Sequence, residues 1–138
     1  MQYFPDRPDI DDYRVVWSKT VQKSVLASCN VQHRRIRVAP SFQRIDCTPF
    51  LEALLYHEMC HAILGDPPRV RGRRVLHGKD FRELEVRHPG IPNLDRWILE
   101  GGWRLAVQRH RRETSQGTPS RTRSRKQRVR RRPRLRIV

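Results

Sequence analysis

Apolar residues fall into distinct patterns along the chain. Between residues 15 and 38 they come in short runs: Val15-Val16-Trp17-Ser18, Val25-Leu26-Ala27 and Arg35-Ile36-Arg37-Val38. The last run alternates charged and apolar positions, as a half-buried strand does. Two or three antiparallel strands are predicted here, with Asn30 in a turn and Pro40 closing the last strand. The pattern then changes. Phe50, Leu51, Ala53, Leu54, Leu55, Tyr56, Met59, Cys60, Ala62, Ile63 and Leu64 leave little room for a polar face. Thr48 suits an N-cap and Pro49 a first helical turn, while Gly65 and Pro67-Pro68 stop continuation. These signals bracket a helix over 49–64. A helix apolar nearly all round is buried. This one also contains Glu52, His57, Glu58 and His61, and buried polar groups need partners.

Further on the signals are weaker. Residues 66–76 read as a basic loop, and Val70 and Val75 on either side of Gly72 suggest a short hairpin. One helix is expected from near Gly78 to before Pro89. Another is expected from about Asn93 to His110, with Leu94, Trp97, Ile98 and Leu105 on one face. Gly101-Gly102 weakens its middle by about 1 kcal/mol per glycine relative to alanine. Residues 1–12, rich in Pro and Asp, are read as an extended segment. The architecture expected is α+β: a small domain over 13–112 with a short antiparallel sheet, a long buried helix and two further helices. A disordered Arg-rich tail over 113–138 follows, since it has little to bury.

Composition sharpens that division. The chain has 138 residues and a net charge of +16. Residues 104–138 hold 14 of the 30 Lys and Arg and a single acid, Glu113. The body is thus near neutral and the tail cationic, which points to a polyanionic partner such as nucleic acid. No apolar run is long enough to span a membrane, and Asp6, Asp9, Asp11 and Asp12 are foreign to a secretory signal. Cys29, Cys47 and Cys60 are too few and scattered for a disulfide framework. They are read as reduced thiols of a cytoplasmic protein.

The chemistry centres on His57-Glu58-Met59-Cys60-His61. Positions i and i+4 of a helix share a face, so both imidazoles can bind one metal, and Glu58 can reach a metal-bound water as general base. A catalytic zinc needs a third protein ligand and an open fourth position. His77, Glu83, Glu85 and His88 are the candidates downstream. His77 is preferred, because Gly78 permits a sharp entry into the next helix, and Glu83 is the alternative. Cys60 is assigned to the core rather than to the metal, and His88 to a surface or capping role. Trp17, Trp97 and Trp103 are assigned to the core rather than to base stacking. His33 and His110 are expected to face solvent. The loop carrying Arg69, Arg71, Arg73 and Arg74 leads directly into His77 and either contacts DNA or an acidic peptide or is simply solvated.

His57-Glu58-Met59-Cys60-His61-Ala62, followed by His77-Gly78-Lys79-Asp80-Phe81, resembles the SprT-like zinc metalloprotease family, which includes Spartan-related proteases of DNA–protein crosslink repair. Val16-Trp17-Ser18 and Ile36-Arg37-Val38 resemble that family's sheet, and the likeness spans about residues 14–105. It implies a zincin-like α+β fold, one zinc per chain on His57, His61 and His77, and Glu58 as catalytic base. It also implies cleavage of DNA-bound proteins. Many members carry a Cys-rich zinc ribbon that these residues lack. Nucleic-acid contacts, to single-stranded or nonspecific DNA, are therefore expected from the basic loop and from Arg121, Arg123, Arg125, Lys126, Arg128, Arg130, Arg131 and Arg132. The expected setting is the cytoplasm beside the nucleoid, or the nucleus in a eukaryote. Two other readings stay open: a nucleic-acid-binding protein with a structural zinc, and a zinc peptidase unrelated to DNA.

Overall fold

The computed structural model describes residues 3–19 and 25–115. The elements are β1 (Arg14–Trp17), β2 (Ala27–Asn30), β3 (Arg35–Val38), α1 (Thr48–Leu64), β4 (Arg69–Val70), β5 (Arg73–Arg74), α2 (Lys79–Glu85), α3 (Ile91–Leu99) and α4 (Gly102–Ser115). Short 3-10 turns cover Pro8–Asp12 and Pro40–Gln43. The fold is α+β, as the sequence predicts. No helix among the described residues is long and apolar enough to cross a membrane.

The first sheet has the order β1-β3-β2 and is mixed. β2 and β3 pair antiparallel, with Ala27 opposite Val38, as expected. β1 pairs with β3 parallel, with Arg14 opposite Arg35. The reason is that β3 lies in the middle, so β1 and β2 do not form a hairpin. The period-two pattern of β3 holds: Ile36 and Val38 are buried, Arg35 and Arg37 exposed. β1 is an edge strand exposed along its whole length. Trp17, expected in the core, is 45% exposed.

α1 packs against β2, α2 and α3. It begins at Thr48, which is its first helical residue, and Cys47 holds the cap position. Thr48 Oγ1 instead donates to the Ile45 carbonyl at 3.0 Å. At the far end Gly65 stops the helix with φ +69°, a region glycine enters without steric cost. Arg7 donates to the Ile63 carbonyl at 2.9 Å and so satisfies one of the orphaned carbonyls of the last turn.

Of the segment expected to be extended over 1–12, the described residues 3–12 are packed and turned. Tyr3 and Phe4 pack on Tyr56, with ring centroids at 5.3 and 5.5 Å. The chain turns at Pro8–Asp12 before entering β1. His88, buried, completes this cluster. Its Nδ1 accepts the Gly90 N–H at 2.9 Å, at the start of α3.

The long helix expected over 93–110 is two helices, α3 and α4, so three helices follow α1 rather than two. Gly101 has φ +89° and turns the chain. Gly102 is required for a different reason. A Cβ there would collide with the indole of Trp97 at Nε1. The kink lets Trp97 and Trp103 join Phe42 and Phe50 in one aromatic cluster. Phe50 stacks on Trp97 at 4.3 Å and Phe42 on Trp103 at 5.1 Å. α4 runs to Ser115, past the boundary expected at 112, and Glu113 bonds Arg44 at 2.5 Å. The rest of the Arg-rich tail, with Arg121, Arg123, Arg125, Lys126, Arg128, Arg130, Arg131 and Arg132, lies outside the described residues.

Candidate metal centre

His57 and His61 stand one turn apart on α1, and the loop after β5 brings His77 to them. The three imidazole centroids form a near-equilateral triangle with sides of 5.1, 5.0 and 5.0 Å. One nitrogen from each ring lies within 4.8 Å of the others. Nε2 of His61 and Nε2 of His77 are 3.2 Å apart. Two nitrogens bound to one tetrahedral zinc at the usual 2.0–2.1 Å would be about 3.3 Å apart. Nε2 of His57 is buried without a hydrogen-bond partner, a costly state that a metal ion would relieve. The donor set therefore fits zinc.

Electrostatics favour the neutral, ligating form of His61 and His77. Burial, reinforced by His57 and His77, pushes His61 down to about 3. Burial and the proximity of His57 also lower His77.

Phe81 is the floor of the cluster. It is buried in α2, and its ring centroid lies 4.9 Å from that of His57, 4.4 Å from that of His61 and 4.8 Å from that of His77. The Gly78 to Phe81 spacing thus has a physical meaning. Gly78 caps α2, and one turn later Phe81 faces the three rings.

Glu58 is fully buried, and neither of its oxygens has a hydrogen-bond partner. Burial raises its pKa well above the usual carboxylate value. Its charge is felt at Cys29 on β2, whose thiol is pushed up to about 12, first by burial and then by Glu58. Cys60 is fully buried in the core and stands outside the histidine cluster, as expected.

The other ligand candidates fall elsewhere. Glu83 is exposed and lies 3.9 Å from Lys79 on the same face of α2. Glu85 meets the site from behind: its Oε2 is 2.5 Å from Nδ1 of His57, the ring nitrogen turned away from Nε2. Spacing along the sequence offered Glu85 as a ligand and gave no sign of this contact, which depends on how α2 crosses α1.

Arg69, Arg71, Arg73 and Arg74 form the expected hairpin, β4 pairing antiparallel with β5 and all four side chains exposed. Arg71 and Gly72 both have positive φ, 50° and 76°, the signature of the tight primed turn favoured in two-residue hairpins. A cleft of about 260 Å³ lies between this hairpin and the turn after β2, lined by Asn30, Gln32, His61, Asp66 and Arg74 among others. It opens directly beside a histidine of the cluster.

A family model described as the SprT-like family matches residues 1–91 of the 138. The match includes all three histidines, Glu58, Phe81 and Glu85. No curated protein and no solved structure matches the chain.

Proposed function

The chain belongs to the SprT-like family, and from that membership together with the three-histidine cluster we propose that it is a zinc-dependent endopeptidase acting on DNA-bound proteins. The observation that carries the peptidase reading is the pairing of the cluster with Glu58, a buried carboxylate one residue from His57 with both oxygens unsatisfied. Among the described residues the cluster has three members, the number expected of a catalytic rather than a closed structural site.

His57, His61 and His77 hold the zinc, which supplies Lewis acidity toward a peptide carbonyl when bound. Glu58 accepts the proton of the attacking water on a carboxylate oxygen. Burial raises its proton affinity above that of an ordinary carboxylate, the direction that strengthens a general base. The substrate backbone adds as an extended chain along the edge strand β2, whose outer end borders the cleft beside His61. DNA is held by Arg69, Arg71, Arg73 and Arg74, exposed on the hairpin that leads to His77, and by the cationic tail. The tail raises the local concentration of DNA-bound substrates in the cytoplasm, beside the nucleoid.

The test is proteolysis of a DNA-binding protein by the zinc-loaded full chain, with and without single-stranded DNA, beside Glu58→Gln. Cleavage that DNA accelerates, and that falls by about 10²-fold or more in Glu58→Gln while zinc is retained, is the expected result. Cleavage indifferent to DNA would leave a zinc peptidase and remove the DNA reading. Zinc-loaded protein that cleaves nothing would remove both.

A further inference from the structure

We infer that Glu85 is a positioning residue for the metal centre: its carboxylate accepts the Nδ1–H of His57 and so holds Nε2 of that ring toward the point shared with His61 and His77. The inference rests on reading the three histidines as metal ligands.

The contact is 2.5 Å long and largely shielded from water, with the His57 side chain 6% and the Glu85 side chain 16% exposed. An imidazole has one proton to place between two nitrogens. With Nδ1 bonded to a carboxylate the proton is held there, and the Nε2 lone pair is free for a metal. Nε2 of His57 is in that state, buried and without a hydrogen-bond partner.

The contact is also fixed mechanically. Tyr56 precedes His57 and Leu84 precedes Glu85, and the Tyr56 hydroxyl donates to the Leu84 carbonyl at 2.7 Å in the buried interface. That bond pins α2 to α1 one residue away from the pair. Phe81, one turn earlier on α2, closes the other side of the His57 ring. Asp95 on α3, whose pKa is raised first by burial, also feels the charges of Glu85 and His57. Among the described hydrogen bonds, only Glu85 meets the His57 ring. His61 and His77 have no carboxylate partner among the described hydrogen bonds. They face each other through Nε2. Of the three ligands, His57 is thus the one oriented in advance, and Glu85 is what orients it.

The test uses the full chain with zinc and cobalt as probes, in wild type, Glu85→Ala, Glu85→Gln and, as control, Glu83→Ala. Zinc affinity is read by chelator competition. The cobalt ligand-field spectrum reports ligand geometry. Long-range ¹H–¹⁵N spectra of the metal-free protein report the tautomer of His57. Glu85→Ala is expected to lose about 10–100-fold in zinc affinity, the usual cost of an outer partner. It is also expected to alter the cobalt spectrum and to release His57 from the Nδ1–H tautomer. Glu85→Gln keeps an acceptor oxygen and should recover most of the affinity and the tautomer. Glu83→Ala should match wild type. The inference is overturned if Glu85→Ala keeps wild-type affinity and tautomer. It is equally overturned if affinity falls only as far as the melting of the metal-free protein falls, with the tautomer unchanged. Wild type that binds neither metal would instead remove the reading of the histidines as ligands.

Discussion

Two of the ring clusters among the described residues are built in opposite ways. The metal cluster joins His57, His61, His77 and Phe81, with sequence separations of a helical turn or a short hairpin. The aromatic cluster joins Phe42, Phe50, Trp97 and Trp103, drawn from a turn, the start of α1 and both α3 and α4. The first is polar, incompletely satisfied and open to a cleft. The second is apolar, and Trp103 at its centre is fully buried. α1 belongs to both, contributing Phe50 at its start and the two histidines in its second half. The difference teaches a division of labour. The aromatic cluster fixes where α1 lies, and the metal cluster leaves polar groups unsatisfied on a helix held in place from elsewhere.

If that division is real, each cluster can be broken without the other. The largest effect is expected from His77→Ala, which removes one of three ligands. Stoichiometric zinc binding should disappear, a loss greater than the 10–100-fold typical of an outer partner. Melting of the metal-free protein should hardly change, because His77 is only half-buried and sits in a loop. Elemental analysis and thermal denaturation check the two halves. Trp103→Ala should do the reverse. Large aromatic truncations in a core cost about 3–5 kcal/mol. Denaturant titration should show that loss, while the protein that remains folded should bind zinc with nearly unchanged affinity. A Trp103→Ala protein that is fully folded yet cannot bind zinc would show that the clusters are coupled.

The same contrast explains what could be read from the sequence. The histidine cluster was legible because two of its members sit at fixed helical spacing and the third stands next to a glycine that starts a helix after a short hairpin. α1, β3 and the arginine hairpin were legible for similar reasons: the stop at Gly65, alternation, and a glycine between two valines. What was hidden depends on contacts between distant elements. The break between α3 and α4 looked like a weak point in one helix, because the role of Gly102 lies in its approach to Trp97. The parallel pairing of β1 follows from β3 lying between β1 and β2, and strand patterns do not encode neighbour order. Residues 1–12 read as extended from composition, but Tyr3 and Phe4 pack on the ring of Tyr56. Glu85 carried the right chemistry at a position whose geometry only the α1–α2 crossing defines.

The smallest effect is expected at the outer edge of the aromatic half, where α4 is tied to the turn before α1. Arg44 is the centre of that tie. Its side chain is 16% exposed and reaches Asp46 at 3.0 Å and Glu113 at 2.5 Å, while Arg109 meets Asp46 at 3.3 Å. Glu113 is itself 65% exposed, so its charge is well screened, and such pairs contribute about 0–1 kcal/mol. Glu113→Ala should therefore lower stability by less than about 1 kcal/mol and leave zinc affinity unchanged. The loss should shrink further at high salt, as expected for a solvent-facing ion pair. Arg44→Ala should cost more than Glu113→Ala, since it leaves Asp46 with Arg109 alone among these partners. Denaturation of the two single mutants and the double mutant, at low and high salt, checks this. Additive losses would mean that Arg44 and Glu113 do not interact in solution, so that the burial of Trp103, Ala106 and Val107 and the Arg109–Asp46 pair hold α4 without them. The same experiment places the point at which a tail deletion is clean. A cut ahead of Glu113 removes a residue that bonds the folded body, whereas a cut after Ser115 leaves every described contact in place.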